Sequence, residues 1–152
     1  MPFDEAPVLV IAVGLPGSGK STYFAQIGAN PVSTDAIRLQ LADDATDQTI
    51  HSAVFATVRY LAMQRVLLHR PITYIDATNL TVANRKQFFD WATEWGCAIE
   101  ALYFDTPLEV CLARNAARSR VVPEDAILRM SQILVPPTEA EGFRRVTVVR
   151  PS

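Results

Sequence analysis

Between positions 14 and 22 the chain reads GLPGSGKST, which fits the pattern GxxxxGK[ST] with Gly14, Gly19, Lys20 and Ser21. Glycines at 14, 17 and 19 let the backbone curl until successive N–H groups converge on one anion, and the helix that follows adds the positive end of its dipole. In that arrangement Pro16, Gly17, Ser18 and Gly19 build the cradle. Lys20 reaches the β- and γ-phosphates of ATP or another nucleoside triphosphate, Ser21 ligates Mg²⁺, and Thr22 donates to the α-phosphate. A dinucleotide loop would read GxGxxG and would not end on a lysine.

Moving a phosphoryl group to a hydroxyl also requires a carboxylate beside that hydroxyl and a cation to hold the acceptor. Asp35 and Arg38, in VSTDAIR, stand three apart and share a face if a helix starts at Asp35. The structural alternative makes Asp35 an N-cap and Arg38 a surface residue. Asp76, in TYIDATN, is read either as a group near Mg²⁺ or its waters or as a turn residue. Thr78 and Asn79 either bond substrate or shape the loop, and Arg85, one turn into the next helix, is a weaker candidate for an acceptor-phosphate contact. Arg114 and Arg118 lie on one helix face with Arg120 in the break beyond, either as a solvated stripe or as a lid spanning about 114–123 that closes over the triphosphate.

The elements that must carry these groups alternate. Val8 to Val13 is a continuous apolar run of the kind buried in a central parallel strand. A helix follows over Ser18 to Ile27, a short strand over Pro31 to Thr34, and a short helix over Asp35 to Leu41. Thr46 to His69 reads as one long helix capped by Thr46, with Ile50, Val54, Val58, Leu61, Arg65 and Leu68 as its stripe. Strands at Ile72 to Asp76, Ala98 to Phe104 and Arg145 to Val149 enclose a helix over Thr81 to Trp95, stopped by Gly96. Another helix runs from Pro107 to about Ala117, and a last one from Pro123 to about Leu134. Together these predict a three-layer α/β domain of P-loop NTPase type, a five-stranded parallel sheet flanked by helices, with a short helical lid.

The 152 residues suffice for one domain, 1–152, with its own core. Cys97 and Cys111 read as buried thiols rather than a disulfide framework. The N-terminus begins MPFDEAP, acidic where a signal peptide would be basic, and no run approaches the roughly 18 apolar residues that cross a bilayer. The expectation is a cytoplasmic protein with no membrane partner. Net charge is -2, with twelve arginines and two lysines, which excludes indiscriminate adhesion to nucleic acid but not a local phosphate site.

GLPGSGKST, VSTDAIR, IDATNLTVANR, RNAARSRVVPEDAI and PPTEAEGF, in this order, resemble the AAA_33-type P-loop kinases, typified by the 5'-hydroxyl polynucleotide kinases of phage and bacterial nucleic-acid repair. The resemblance runs from Leu9 to Val149. It implies transfer of the γ-phosphoryl group of ATP to the 5'-hydroxyl of DNA or RNA, with Asp35 as general base and Arg38 on the acceptor phosphate. It also implies Asp76 and Arg85 on the acceptor side, and Arg114, Arg118 and Arg120 as lid residues on the donor phosphates or nucleobase. Such kinases are usually joined to a phosphatase, ligase or other repair domain, whereas this chain ends at Ser152, as an excised domain or a free-standing relative. Asp43, Asp44 and Asp47 beyond Arg38 favour a short or terminal acceptor. The same chemistry on a small-molecule or protein hydroxyl is a second reading, and a nucleotide-hydrolysing switch module a third.

Overall fold

A computed structural model describes residues 6–119 and 121–150. The apolar run forms β1 (Val8–Val13), which lies at the centre of a parallel sheet ordered β2-β3-β1-β4-β5. Its neighbours are β3 (Ile72–Asp76) and β4 (Ala98–Phe104), aligned so that Val8 faces Ile72 on one side and Ala98 on the other. The edges are β2 (Val32–Ser33) and β5 (Arg145–Val149). Strand alternation divides β1 between two cores. Leu9 and Ile11 pack with Ile75, Ile99, Val54, Val58, Phe88 and Trp91, while Val10 and Ala12 pack with Leu102, Phe104 and Phe24. Burial on both faces explains why β1 reads as an unbroken apolar run.

Among the described residues six α-helices connect the strands: α1 (Lys20–Gln26), α2 (Thr34–Ala42), α3 (His51–Leu67), α4 (Val82–Trp95), α5 (Leu108–Ala116) and α6 (Glu124–Ile133). The fold class and all five strands agree with the sequence reading. So does α4, which has a capping box at its start, with Thr81 Oγ1 accepting from Asn84 N at 3.0 Å and Asn84 Oδ1 from Thr81 N at 3.4 Å. At its other end Gly96 adopts φ 69° and donates its N–H to Ala92 O.

Two expectations about α3 need correction. The helix starts at His51, and Thr46 does not cap it. Asp44 Oδ1 accepts from Thr46 N (2.9 Å) and Oγ1 (2.6 Å), and Asp47 Oδ1 accepts from Thr49 N (2.8 Å) and Oγ1 (2.6 Å). Two consecutive side-chain-closed turns thus take the backbone groups that a helix would have used. The buried stripe is Val54, Val58 and Ala62, whereas Leu61 and Leu68 are 40% and 70% exposed. A spacing of four keeps the contact line on the smaller side chain. Among the described residues no helix is long and apolar enough to cross a membrane.

Candidate active site

The GLPGSGKST segment leaves the C-terminal end of β1 and is wedged under the end of β4 and α5. Gly14 N donates to Thr78 O at 3.0 Å, and a Cβ on Gly14 would lie 2.7 Å from Ser18 Oγ and 2.9 Å from Phe104 Cβ. Gly17 has φ +80°, and a Cβ there would meet Cys111 O at 2.5 Å. Gly19 has φ +100°, and its Cβ position is 3.0 Å from Arg114 Nη1. The left-handed Gly19 sets where α1 can begin, which is why the helix starts at Lys20 rather than Ser18.

Thr106 Oγ1 donates to Ser18 O at 2.8 Å and ties the loop to β4. Ser18 Oγ is buried and finds no hydrogen-bond partner among the described residues. Lys20 Nζ donates to Gly14 O and Leu15 O, both at 2.9 Å, and so clasps its own loop. Burial holds the Lys20 amine below its ordinary pKa, while Asp76 and Asp35 pull it back up.

The loop forms one wall of a cleft of about 1280 Å³ at the C-terminal ends of the strands, where open parallel sheets bind ligands. Asp35, Arg38, Asp76, Thr78, Arg114 and Arg118 all line it. The N-cap of α2 is Ser33, whose Oγ accepts from Ala36 N at 3.2 Å, so Asp35 stands in the first turn rather than at the cap. Arg38 Nη1 lies 3.5 Å from Asp35 Oδ1. Arg38 is only 6% exposed, and its Nε finds no hydrogen-bond partner among the described residues. Buried arginines ordinarily have their donors occupied, which sets Arg38 apart from Arg85.

Asp76 ends β3 with its carboxyl pKa raised, chiefly by burial. Lys20 and Arg118 oppose that shift and Asp35 adds to it, so four charged groups from four segments influence one another across the cleft.

One sequence candidate falls elsewhere, and a second is engaged within the fold. Arg85 is fully buried outside the cleft: its Nε and Nη2 donate to Glu141 at 2.7 and 3.0 Å, and its Nη1 donates to Asn79 O at 2.8 Å. Those bonds use its fork within the fold and correct the reading of Arg85 as an acceptor contact. Asn79, at φ 49°, lines the cleft, but its Nδ2 donates to Ala12 O at 2.8 Å, which favours the loop-shaping alternative. Arg120 lies outside the described residues. Gln48, His51, Phe55 and Met130 also line the cleft and were not among the sequence candidates, whereas Val122 and Pro123 fall in the segment read as a lid. The rings of His51 and Phe55 stand 4.6 Å apart. None of these side chains carries a fixed charge, and a helix starting at Thr46 would place His51 inside it rather than at its first residue.

The model of the AAA_33 family, described as an AAA domain, matches residues 9–137. The bifunctional polynucleotide phosphatase/kinase of Schizosaccharomyces pombe is 27% identical over 155 residues, covering 96% of this chain and 34% of that protein. A chain in the structure of the Pnkp1/Rnl/Hen1 RNA repair complex superposes with a TM-score of 0.72 at 28% identity, over 86% of this chain and 44% of that one. The Mycobacterium tuberculosis APS kinase CysC, solved with AMPPNP and APS, shares the fold with a TM-score of 0.60 at 18% identity, over 97% and 91%. The chain therefore spans about a third of the curated relative and less than half of the repair-complex chain.

Proposed function

We propose, from the premise that this chain belongs to the AAA_33 family, that it transfers the γ-phosphoryl group of ATP to the 5'-hydroxyl of DNA or RNA. The observation that carries the reading is Arg38, a buried guanidinium with an unpartnered Nε, on the same helix as Asp35 and 3.5 Å from it. An anion-holding cation beside a carboxylate suits an acceptor that presents a hydroxyl next to a phosphate, as the end of a polynucleotide does.

The loop suits a triphosphate: two glycines at positive φ bring backbone N–H groups where a side chain would not fit, with Lys20 behind them. Ser21 and Asp76, which both line the cleft, offer a hydroxyl and a carboxylate, a fitting donor set for Mg²⁺ and its waters. When bound, the ion neutralises charge between the β- and γ-phosphates.

Asp35 orients the acceptor hydroxyl and takes its proton as that oxygen bonds to the γ-phosphorus. The bond from phosphorus to the β,γ-bridging oxygen breaks, and ADP leaves with the electron pair. Lys20 and Arg118 stabilise the charge on the equatorial oxygens, Arg114 and Arg120 hold the donor, and Arg38 holds the acceptor phosphate. Residues 1–152 act as one kinase domain whose 114–123 segment is its lid. A companion repair activity, as the name of the Schizosaccharomyces pombe relative describes for that protein, belongs to the same proposal.

The test is transfer of labelled γ-phosphate across a panel of 5'-OH oligonucleotides, nucleosides with and without a 3'-phosphate, and small hydroxyl compounds. Oligonucleotides and nucleoside 3'-phosphates should be accepted. Asp35→Ala should lower transfer by roughly 10² with nucleotide binding retained, and Arg38→Ala should chiefly raise the acceptor KM. Equal rates with and without the 3'-phosphate would remove the basis for a polynucleotide acceptor and favour a small-molecule kinase.

A further inference from the structure

The segment between α5 and α6 carries Arg118 and the Val122–Pro123 part of the cleft wall, and one side chain ties its two ends. Asn115, 3% exposed in the last turn of α5, donates from Nδ2 to Val122 O at 2.6 Å and accepts at Oδ1 from Val122 N at 2.9 Å. Its own carbonyl accepts from Arg118 N at 3.2 Å. Pro123 biases Val122 towards an extended backbone, and an extended residue presents its N–H and C=O on the same side. A primary amide is the side chain that can satisfy both at once, since aspartate lacks the donor and alanine lacks both groups.

The geometry points to Asn115 as a positioning residue that holds Arg118 and the Val122–Pro123 wall in register over the phosphate loop. It joins α5, whose Arg114 Nη1 lies close against Gly19, to α6, whose Ala126 and Met130 also line the cleft. One amide therefore links the helix that abuts the phosphate loop to the α6 part of the cleft lining. This assignment rests on the kinase reading given above and names the residue that keeps its lid productive.

A double-mutant cycle with Arg118 tests it. Asn115→Ala should lower kcat by about 10- to 100-fold, the usual consequence of misplacing a reacting group by an ångström or so. It should leave affinity for a fluorescent ATP analogue, measured by titration, within about threefold, because the phosphate loop is held separately. In an Arg118→Ala background the same substitution should cost less than about twofold, since the group it positions is gone. Asn115→Asp, which keeps one of the two bonds, should fall between wild type and Asn115→Ala, and it supplies the cycle if the alanine variant does not fold.

An unchanged kcat in Asn115→Ala, or the same fold-loss in both backgrounds, would overturn the assignment. If the wild-type enzyme phosphorylates no oligonucleotide but does use another acceptor, the polynucleotide reading falls. The cycle is then read on that acceptor, so Asn115 is judged separately.

Discussion

Replacing Arg85 by alanine separates a structural arginine from one that touches substrate. Arg85 is 0% exposed and its partner Glu141 has a side chain 7% exposed, with a two-pronged contact at 2.7 and 3.0 Å. Removing only the cation strands a buried carboxylate, a loss of about 3–5 kcal/mol. A domain of this size is stabilised by about 5–15 kcal/mol, so the variant should sit near the edge of folding. At about 2–4 °C per kcal/mol for chains of this length, the melting temperature should drop by about 6–20 °C.

The damage should also reach the site, because Asn79 O loses the Nη1 donor while Asn79 Nδ2 still bonds Ala12 O at the end of β1. Thermal and urea unfolding followed by circular dichroism measure the loss, with acceptor KM measured well below the variant's midpoint. The double variant Arg85→Met with Glu141→Leu should recover most of the stability, since an apolar pair of similar volume replaces a desolvated ionic one. A single variant that melts within about 2 °C of wild type yet shows a raised acceptor KM would refute this reasoning and return Arg85 to the acceptor side.

Two glycines at positive φ give a matched comparison. Gly28→Ala, at φ +67° with nothing within 4 Å of its Cβ, should cost only the left-handed penalty of about 1 kcal/mol. Gly17→Ala adds a contact 2.5 Å from Cys111 O, so it should cost clearly more and weaken binding of an ATP analogue; calorimetry showing equal losses would contradict the wedge between loop and α5. Asp76→Asn should raise the melting temperature while lowering transfer. Because burial raises the folded pKa of Asp76 above 3.8, the folded state holds its proton longer and stability falls as pH rises through that window. The gain should therefore be largest near pH 8 and fade below about pH 4; a variant no more stable than wild type at pH 8 would count against the burial argument.

Strands β1, β3, β4 and β5 were legible in the sequence because apolar runs between proline and glycine punctuation leave few choices, and the phosphate loop because its spacing is set by backbone geometry. The start of α3 was not. Thr46 and Asp47 resemble a helix start, and only the actual turns reveal that Asp44 and Asp47 bond the threonines two residues on. The position of Arg85 was equally hidden, since its partner lies 56 residues away and reaches it through tertiary packing alone. Asp35 and Arg38 were found from their spacing, but the burial that leaves Arg38 Nε unpartnered is a property of the packed α2. Asn115 carries no charge and escaped notice within an arginine-rich segment.

The phosphate loop hangs from β1, paired to β4 from Val8 to Val13 and to β3 from Val8 to Ile11, whereas Asp35 and Arg38 follow β2, an edge strand with only Val32 and Ser33 paired to β3. Changes around β2 and α2 therefore disturb few ladder bonds and leave the centre of the sheet intact. If Asp35 and Arg38 handle the acceptor as proposed, sequence drift there can reshape acceptor choice while β1, which carries the phosphate loop, keeps its pairing. On the proposed reading, residues 31–48 are where an engineered library would seek new acceptors, and the loop after β1 is the region to leave fixed.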